Sequence, residues 1–419
     1  MEDIIKTYPS GIRMLVRPMP SFKSVATSVH LSVGSRNEEA SEHGLSHVVE
    51  HMLFRGTKTR TAEEIAAHLS NLGVEYNAYT SDVATCYHTK GLITNLDDCC
   101  DIMSDMYFNL QFKDEDFKKE IEVIVQEIVM HEDMPRSVLS DLVSDTFFVG
   151  TDYGHPIAGT IKSVRSFKPA DVHNYMKKHY TAPNTIVSFA GDITVQQAEV
   201  MMKKYFLNNF KDKAKPNINA ISSDAISPAQ AFGKKRKKIT QHNVAVLFPV
   251  VNIKHPDKYV LTYINEILST GMSSRLFTSV RDKLGLVYTI SGGVRLVDIG
   301  GYYYIWFSCT PKNTDKVLAT IAAEVAKIKA DGVTAEEMQK VRNLKRADRM
   351  FELEDVERTN QRNVTQLSTL GEIEPAEEYL KKLEHVTASD VHKATNRYLN
   401  LATSTVCIVG PACKPIKFL

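Results

Sequence analysis

Apolar positions along the chain recur with two periods. Leu45, Val48, Val49, Met52 and Leu53 fall at helical spacing between Gly44 and Gly56, which predicts a short amphipathic helix. Phe117, Ile121, Ile124 and Ile128 draw the core stripe of a longer helix over 114–130. A third helical run, Thr61 to Leu72, opens Thr-Ala-Glu-Glu, in which the threonine and the second glutamate can satisfy each other's free backbone amides. Strand-like runs lie between the helices: Ala26 to Ser35, Cys86 to Ile93 and Ile186 to Gly191, then Asn243 to Val250, Gly301 to Cys309 and Ser404 to Gly410. Strands mixed with helix pairs, without strict alternation, predict an α+β fold of mostly antiparallel sheets covered by helices.

The pattern also repeats. Leu72-Gly73 and Tyr76 recur as Leu284-Gly285 and Tyr288, an offset of 284 − 72 = 212. Asp171-Val172-His173 recurs as Asp390-Val391-His392, an offset of 390 − 171 = 219, and the same register carries Gly191 onto Gly410. Two offsets that differ by a short insertion indicate one unit copied twice. The seam falls where turn formers crowd after Lys211. The reading is therefore an N-terminal domain over 1–215, a linker over 216–238 and a homologous C-terminal domain over 239–419.

Opposite the apolar stripe of the first helix stand His47, Glu50 and His51. One helical turn separates the histidines, so both imidazoles can reach one Zn2+, and Glu50 beside them can take a proton from a water on the metal. His-x-x-Glu-His is the inverted zinc-protease signature. The alternative is a solvated polar face. A metal needs a third ligand, and on the 114–130 helix Glu120 and Glu127 lie two turns apart on one line at the border of the core stripe, with Glu122 turned away. Glu127 is expected as the carboxylate ligand and Glu120 as the group that orients a ligand or water; helix-edge glutamates bonded to lysine or backbone are the alternative. His43, His68, His88, His131 and His155 have no metal spacing with one another. The 212 offset projects His47, Glu50 and His51 onto Tyr259, Thr262 and Tyr263, so the second copy lacks the ligands.

Composition narrows the choice of partners. At 419 residues with 43% hydrophobic and 24% charged, the chain can build two cores. A net charge of +1 creates no long-range attraction to nucleic acid, and the run Lys234 to Lys238 reads as a solvated linker end. Met-Glu-Asp at the start lacks the features of a leader, and no apolar stretch approaches a membrane span, so a cytoplasmic protein with neither nucleic-acid nor membrane partner is expected. Six cysteines without C-x-x-C spacing are read as reduced and mostly buried.

Together these residues resemble the inverzincins of the insulinase and pitrilysin type, and among them short chains similar to the mitochondrial processing peptidase β subunit and its bacterial relatives. The resemblance covers nearly the whole chain. His-x-x-Glu-His is followed 127 − 51 = 76 residues later by Glu127, with Glu120 seven residues before it, as in that family. Gly44-Leu-Ser-His and Leu53-Phe-Arg-Gly-Thr57 also match, while Val48-Val49 departs from the commoner Phe-Leu. The resemblance implies that Asn77 and Ala78, in Asn-Ala-Tyr-Thr, belong to an edge strand that binds extended peptide, and that Arg281 and Tyr288 hold substrate and polarise its carbonyl.

It further implies half of a clamshell. Two chains would close on one chamber, as a homodimer, with Arg281 and Tyr288 of one facing the zinc of the other. The expected activity is that of a zinc endopeptidase with one Zn2+ per chain on His47, His51 and Glu127, acting on peptides or unfolded segments, with Glu50 as general base and then general acid. A non-catalytic assembly member of the same family is the alternative; such members lack an intact ligand set.

Overall fold

The computed structural model describes residues 2–210 and 231–413. They form two compact units, each with its own sheet and core.

The first unit contains residues up to Met130, those from His155 to the end of the first described stretch, and Met350–Ile373. Its strands are β1 (Ile4–Thr7), β2 (Arg13–Pro18), β3 (Ser24–Leu31), β4 (Glu75–Thr80), β5 (Thr85–Leu92) and β6 (Thr185–Gly191), in the order β1-β2-β6-β3-β5-β4. All pairs are antiparallel except β2 with β6. On one face lies the main core, where Leu45, Val48, Val49, Met52 and Leu53 meet Phe117, Ile121, Ile124 and Ile128. Both predicted helical stripes are thus buried in the same core. The other face is covered by helix Val356–Leu370, whose Val364 and Leu367 pack on Leu15 and Ile186. Asn360 bridges the sheet beneath it: its amide donates to Ser28 Oγ and its carbonyl accepts from Ser188 Oγ, both at 2.5 Å.

The second unit contains His131–Gly154, the described residues from 231 to Arg349, and those from Glu374 onward. Its strands are β7 (Phe232–Arg236), β8 (His242–Val250), β9 (Ile290–Val297), β10 (Gly300–Cys309) and β11 (Thr405–Gly410), ordered β7-β11-β8-β10-β9 with one parallel pair, β7 with β11. Helix Pro135–Phe147 covers one face and lies so close to β7 that a Cβ on Gly233 would come within 2.5 Å of Thr146 Oγ1.

The repeated sequence marks correspond to repeated geometry. Gly73 and Gly285 both adopt left-handed backbone, at φ +64° and +59°, where the preceding helical segment stops. Gly191 and Gly410 end equivalent strands at φ +131° and +158°, and a Cβ on either would strike a backbone carbonyl, of Ser24 or Gln241. Asp171 and Asp390 each accept the backbone N–H of the residue three before, Lys168 and Thr387, at the start of matching helices. Val172 and Val391 beside them are fully buried.

Three expectations change. The run read as a solvated linker end contains a strand: Phe232–Arg236 joins the second sheet, so Lys234, Lys235 and Arg236, though exposed, are strand residues and not linker. Residues 216–230 of that linker lie outside the described residues. The units also exchange segments, because 131–154 belongs with the second and 350–373 with the first. Finally, the first strand ends at Leu31, and Ser35–Asn37 forms a 3-10 turn. The free cysteines Cys86, Cys99, Cys100, Cys309 and Cys407 are buried. Among the described residues no helix is long and apolar enough to cross a membrane.

Candidate metal centre

The motif helix spans Leu45–Leu53. Its first turn lacks a capping side chain at Gly44, which sits at φ +100° with no room for a Cβ beside the carbonyl of Ala158. Glu38 fills the role from six residues upstream: its carboxylate accepts the N–H of Gly44 at 2.8 Å and of Ser46 at 2.7 Å. A negative group belongs at this end, where free amides concentrate positive charge. Ser46 is tied in turn to the Tyr175 hydroxyl at 2.7 Å. At the other end Phe54 packs toward Tyr76 on β4 and Tyr87 on β5. The helix is thereby held against the β4 side of the sheet.

His47 and His51 present their Nε2 atoms 3.2 Å apart. Helix Asp114–Asp133 brings Glu127 to them, with Oε2 3.3 Å from His51 Nε2 and 3.8 Å from His47 Nε2. Tetrahedral zinc with bonds of about 2.0–2.1 Å separates its ligand atoms by about 3.4 Å. These spacings fit that ion. Among the described residues, His47, His51 and Glu127 are the set of donors that converges on one point.

The groups around the donors set their protonation. Burial, aided by the charge of His51, pushes His47 down to about 4, leaving it neutral and able to donate a lone pair at ordinary pH. Burial alone would lower His51 too, but Glu120 accepts from its Nδ1 at 2.8 Å, and this with the charges of Glu127, Glu120 and Glu50 carries it above its usual value. That hydrogen bond directs Nε2 toward Glu127. Glu120 is almost fully buried and also pairs with Arg55; burial opposes its ionisation, yet these two cations hold it below the usual carboxylate range.

Glu50 accepts a hydrogen bond from Thr80 Oγ1 at 2.5 Å. Burial raises its pKa, opposed by Thr80 and by the charge of His51. A base lifted toward neutrality retains a proton more readily once it has taken one. Thr80 closes β4, and β4 is the edge of its sheet, with Asn77 and Ala78 in it. Glu75, Tyr76 and Asn77 on this edge are exposed.

Arg281 and Tyr288 lie together in the second unit, the guanidinium carbon 5.4 Å from the tyrosine ring and 4.5 Å from that of Phe277. Tyr288 is 84% exposed. In the repeat of the motif helix, Lys258–Leu268, the projected positions serve structure: Tyr259 bonds Glu374, Tyr263 donates to the Leu383 carbonyl and Thr262 to that of Lys258. The remaining histidines named from the sequence have other neighbours, His43 stacking on His155 and His68, His88 and His131 facing Asp98, Glu357 and Asp141.

Sequence reasoning missed Glu38, Arg55 and Thr80 as supports of the site. Arg55 had a signal, four residues beyond His51 on the same face. Glu38 had none, since it reaches the helix through a loop.

Comparison with known proteins assigns the chain to a family. Residues 13–161 match the model of the insulinase family, peptidase family M16, and residues 166–345 match that of the M16 inactive domain. The chain belongs to the M16 peptidase family. It is similar to the uncharacterized zinc protease YmxG of Bacillus subtilis, 30% identical over 395 residues that cover 93% of this chain and 94% of the relative. An uncharacterized zinc protease of Rickettsia felis is 29% identical over 413 residues, 97% of each chain. Among solved structures, a protease from Helicobacter pylori superposes with a TM-score of 0.91 over 98% of this chain and 99% of its own, at 22% identity. The M16 fold with two homologous halves is thus shared, and the stretch matched by the inactive-domain model includes Tyr259, Thr262 and Tyr263, the positions onto which His47, Glu50 and His51 project.

Proposed function

We propose that the chain is a zinc-dependent endopeptidase acting on peptides or unfolded polypeptide segments. The observation that carries this reading is the convergence of His47, His51 and Glu127 at zinc spacing, with Glu50 on the same helix and hydrogen-bonded to the sheet-edge residue Thr80. Zinc on those three donors would supply Lewis acidity, activating water and polarising a carbonyl.

The chain's own groups do the rest. An extended peptide adds to the free edge of β4 near Asn77 and Ala78 through backbone hydrogen bonds, which selects flexible substrates over folded ones. Glu50 then accepts a proton from the attacking water and delivers it to the leaving amine. Thr80 fixes the carboxylate while leaving its other oxygen available. Arg281 and Tyr288 offer a guanidinium and a phenol suited to a developing oxyanion; in this reading a second copy of the chain supplies them, one zinc site per chain in a homodimeric chamber.

The test is incubation with a mixed peptide library, with and without chelator, and identification of cut sites by mass spectrometry. Cleavage abolished by chelator and restored by zinc is expected. Chelator-insensitive cleavage, or none with stoichiometric zinc bound, would contradict the proposal.

A further inference from the structure

On the face of the second sheet that carries helix Pro135–Phe147, β10 presents Tyr302, Tyr304 and Trp306, while Tyr303, Ile305 and Phe307 face the core. The helix packs over β7, β11 and β8 and leaves the β10–β9 side less covered. A cavity of about 520 Å3 opens there. Its floor is aromatic: Tyr304 lies across Gly293 of β9, where a Cβ would fall 2.5–2.7 Å from the phenol, and its ring meets that of Tyr302 edge to face at 6.1 Å. Leu139 of the helix and Leu296 of β9 add apolar walls.

Polar groups interrupt this apolar lining: Ser140, Arg295, which donates to Ser144 Oγ and the Tyr302 hydroxyl, and the pair Arg136 and Trp306. The Arg136 guanidinium stands 4.5 Å over the Trp306 ring. The indole Nε1 of Trp306 is buried without a hydrogen-bond partner among the described residues. Among the described residues no acidic side chain lines the cavity. A guanidinium held over an aromatic ring still offers N–H groups to an anion. The complementary ligand has a bulky apolar or aromatic body to lie on the tyrosines and a carboxylate to meet Arg136.

We propose that this cavity is a binding site for a carboxylate attached to an apolar or aromatic body, supplied by a free organic acid or by the carboxy terminus of a peptide. It lies wholly in the second unit and has no part in the metal centre. Binding there is independent of peptide cleavage.

Trp306 is the chain's single tryptophan, so intrinsic fluorescence reports on the site directly. The full chain is titrated with 4-phenylbutyrate and its neutral amide, and with N-acetyl-Ala-Phe bearing a free or an amidated terminus, calorimetry serving as a second readout. A saturable change is expected with the acids and binding about tenfold weaker or more with the amides, as for loss of one charge-assisted hydrogen bond. Arg136 is exposed at its helix surface, so Arg136→Gln should leave the far-ultraviolet spectrum unchanged and remove the preference for the acid. Tighter binding of the acylated dipeptide identifies a peptide terminus as the source, and tighter binding of phenylbutyrate a free acid. Equal binding of acid and amide, retention of the preference in Arg136→Gln, or no saturable signal by either readout at about 10 mM overturns the proposal.

Discussion

Glu38 offers a prediction in which two opposed effects can be weighed. Its carboxylate caps the metal-bearing helix through Gly44 and Ser46, yet it is only 9% exposed, and burial outweighs those hydrogen bonds and lifts its pKa from 4.5 to about 7. Because this acid's folded pKa is raised, the folded state holds the proton more tightly than the unfolded one. The stability contribution of Glu38 is therefore greatest below pH 4.5 and declines as pH rises through 7. At about 1.4 kcal/mol per pKa unit, the decline amounts to about 3 kcal/mol. Glu38→Gln, which never ionises, lacks this term, so the wild type should lose about 3 kcal/mol relative to the variant between pH 4.5 and 8. For a unit of this size that is a shift of roughly 6–12 °C in the difference of melting temperatures. The assay is thermal unfolding of both proteins in chelator across that range, where subtracting one curve from the other cancels groups common to both. Parallel curves, or a wild type that gains on the variant as pH rises, would refute the reasoning by showing that the two amides and the helix terminus outweigh burial. Glu38→Ala should be less stable than Glu38→Gln by about 1–3 kcal/mol at every pH, since it leaves both buried amides without an acceptor.

Thr80→Val removes the hydrogen bond to Glu50 and keeps the shape; bound zinc should be unchanged while kcat falls by about tenfold, and an unaltered kcat would show that Glu50 needs no such support. Glu120→Gln should weaken zinc binding by about 10–100-fold, read by competition with a fluorescent chelator, because His51 loses the carboxylate that orients it. If two copies share a chamber, mixing inactive Glu50→Gln and Arg281→Ala chains should restore roughly a quarter of wild-type cleavage, as half the dimers would then hold one complete site. No recovery after verified subunit exchange would count against shared sites.

The parts of the site legible in the sequence were those encoded on single helices. His47, Glu50 and His51 need only the geometry of one helix, and Glu120 and Glu127 are set apart from Glu122 by position on another. That the two helices bring Nε2 and Oε2 within 3.3–3.8 Å follows from their shared core, and periodicity shows only that each has an apolar face. Thr80 could be placed at the end of an edge strand, but its contact with Glu50 depends on that helix lying against the sheet. Fold class and duplication were visible because Gly73, Gly285, Gly191 and Gly410 occupy backbone positions that exclude a Cβ or favour its absence. The exchanged helices Pro135–Phe147 and Val356–Leu370 were hidden, since an amphipathic stripe states that a face is covered without naming the sheet. A lysine-rich strand at a sheet edge reads as a linker for the same reason that it suits an edge: its side chains stay in water.

The central claim is that Glu50 performs proton transfer at a metal held by His47, His51 and Glu127. Glu50→Gln keeps an amide oxygen for Thr80 and touches no proposed ligand, so it separates metal binding from chemistry. Elemental analysis and peptide cleavage measured on the same preparation should give one zinc per chain with kcat reduced by about 100-fold or more. Full cleavage with zinc bound, or loss of zinc together with activity, would contradict the account.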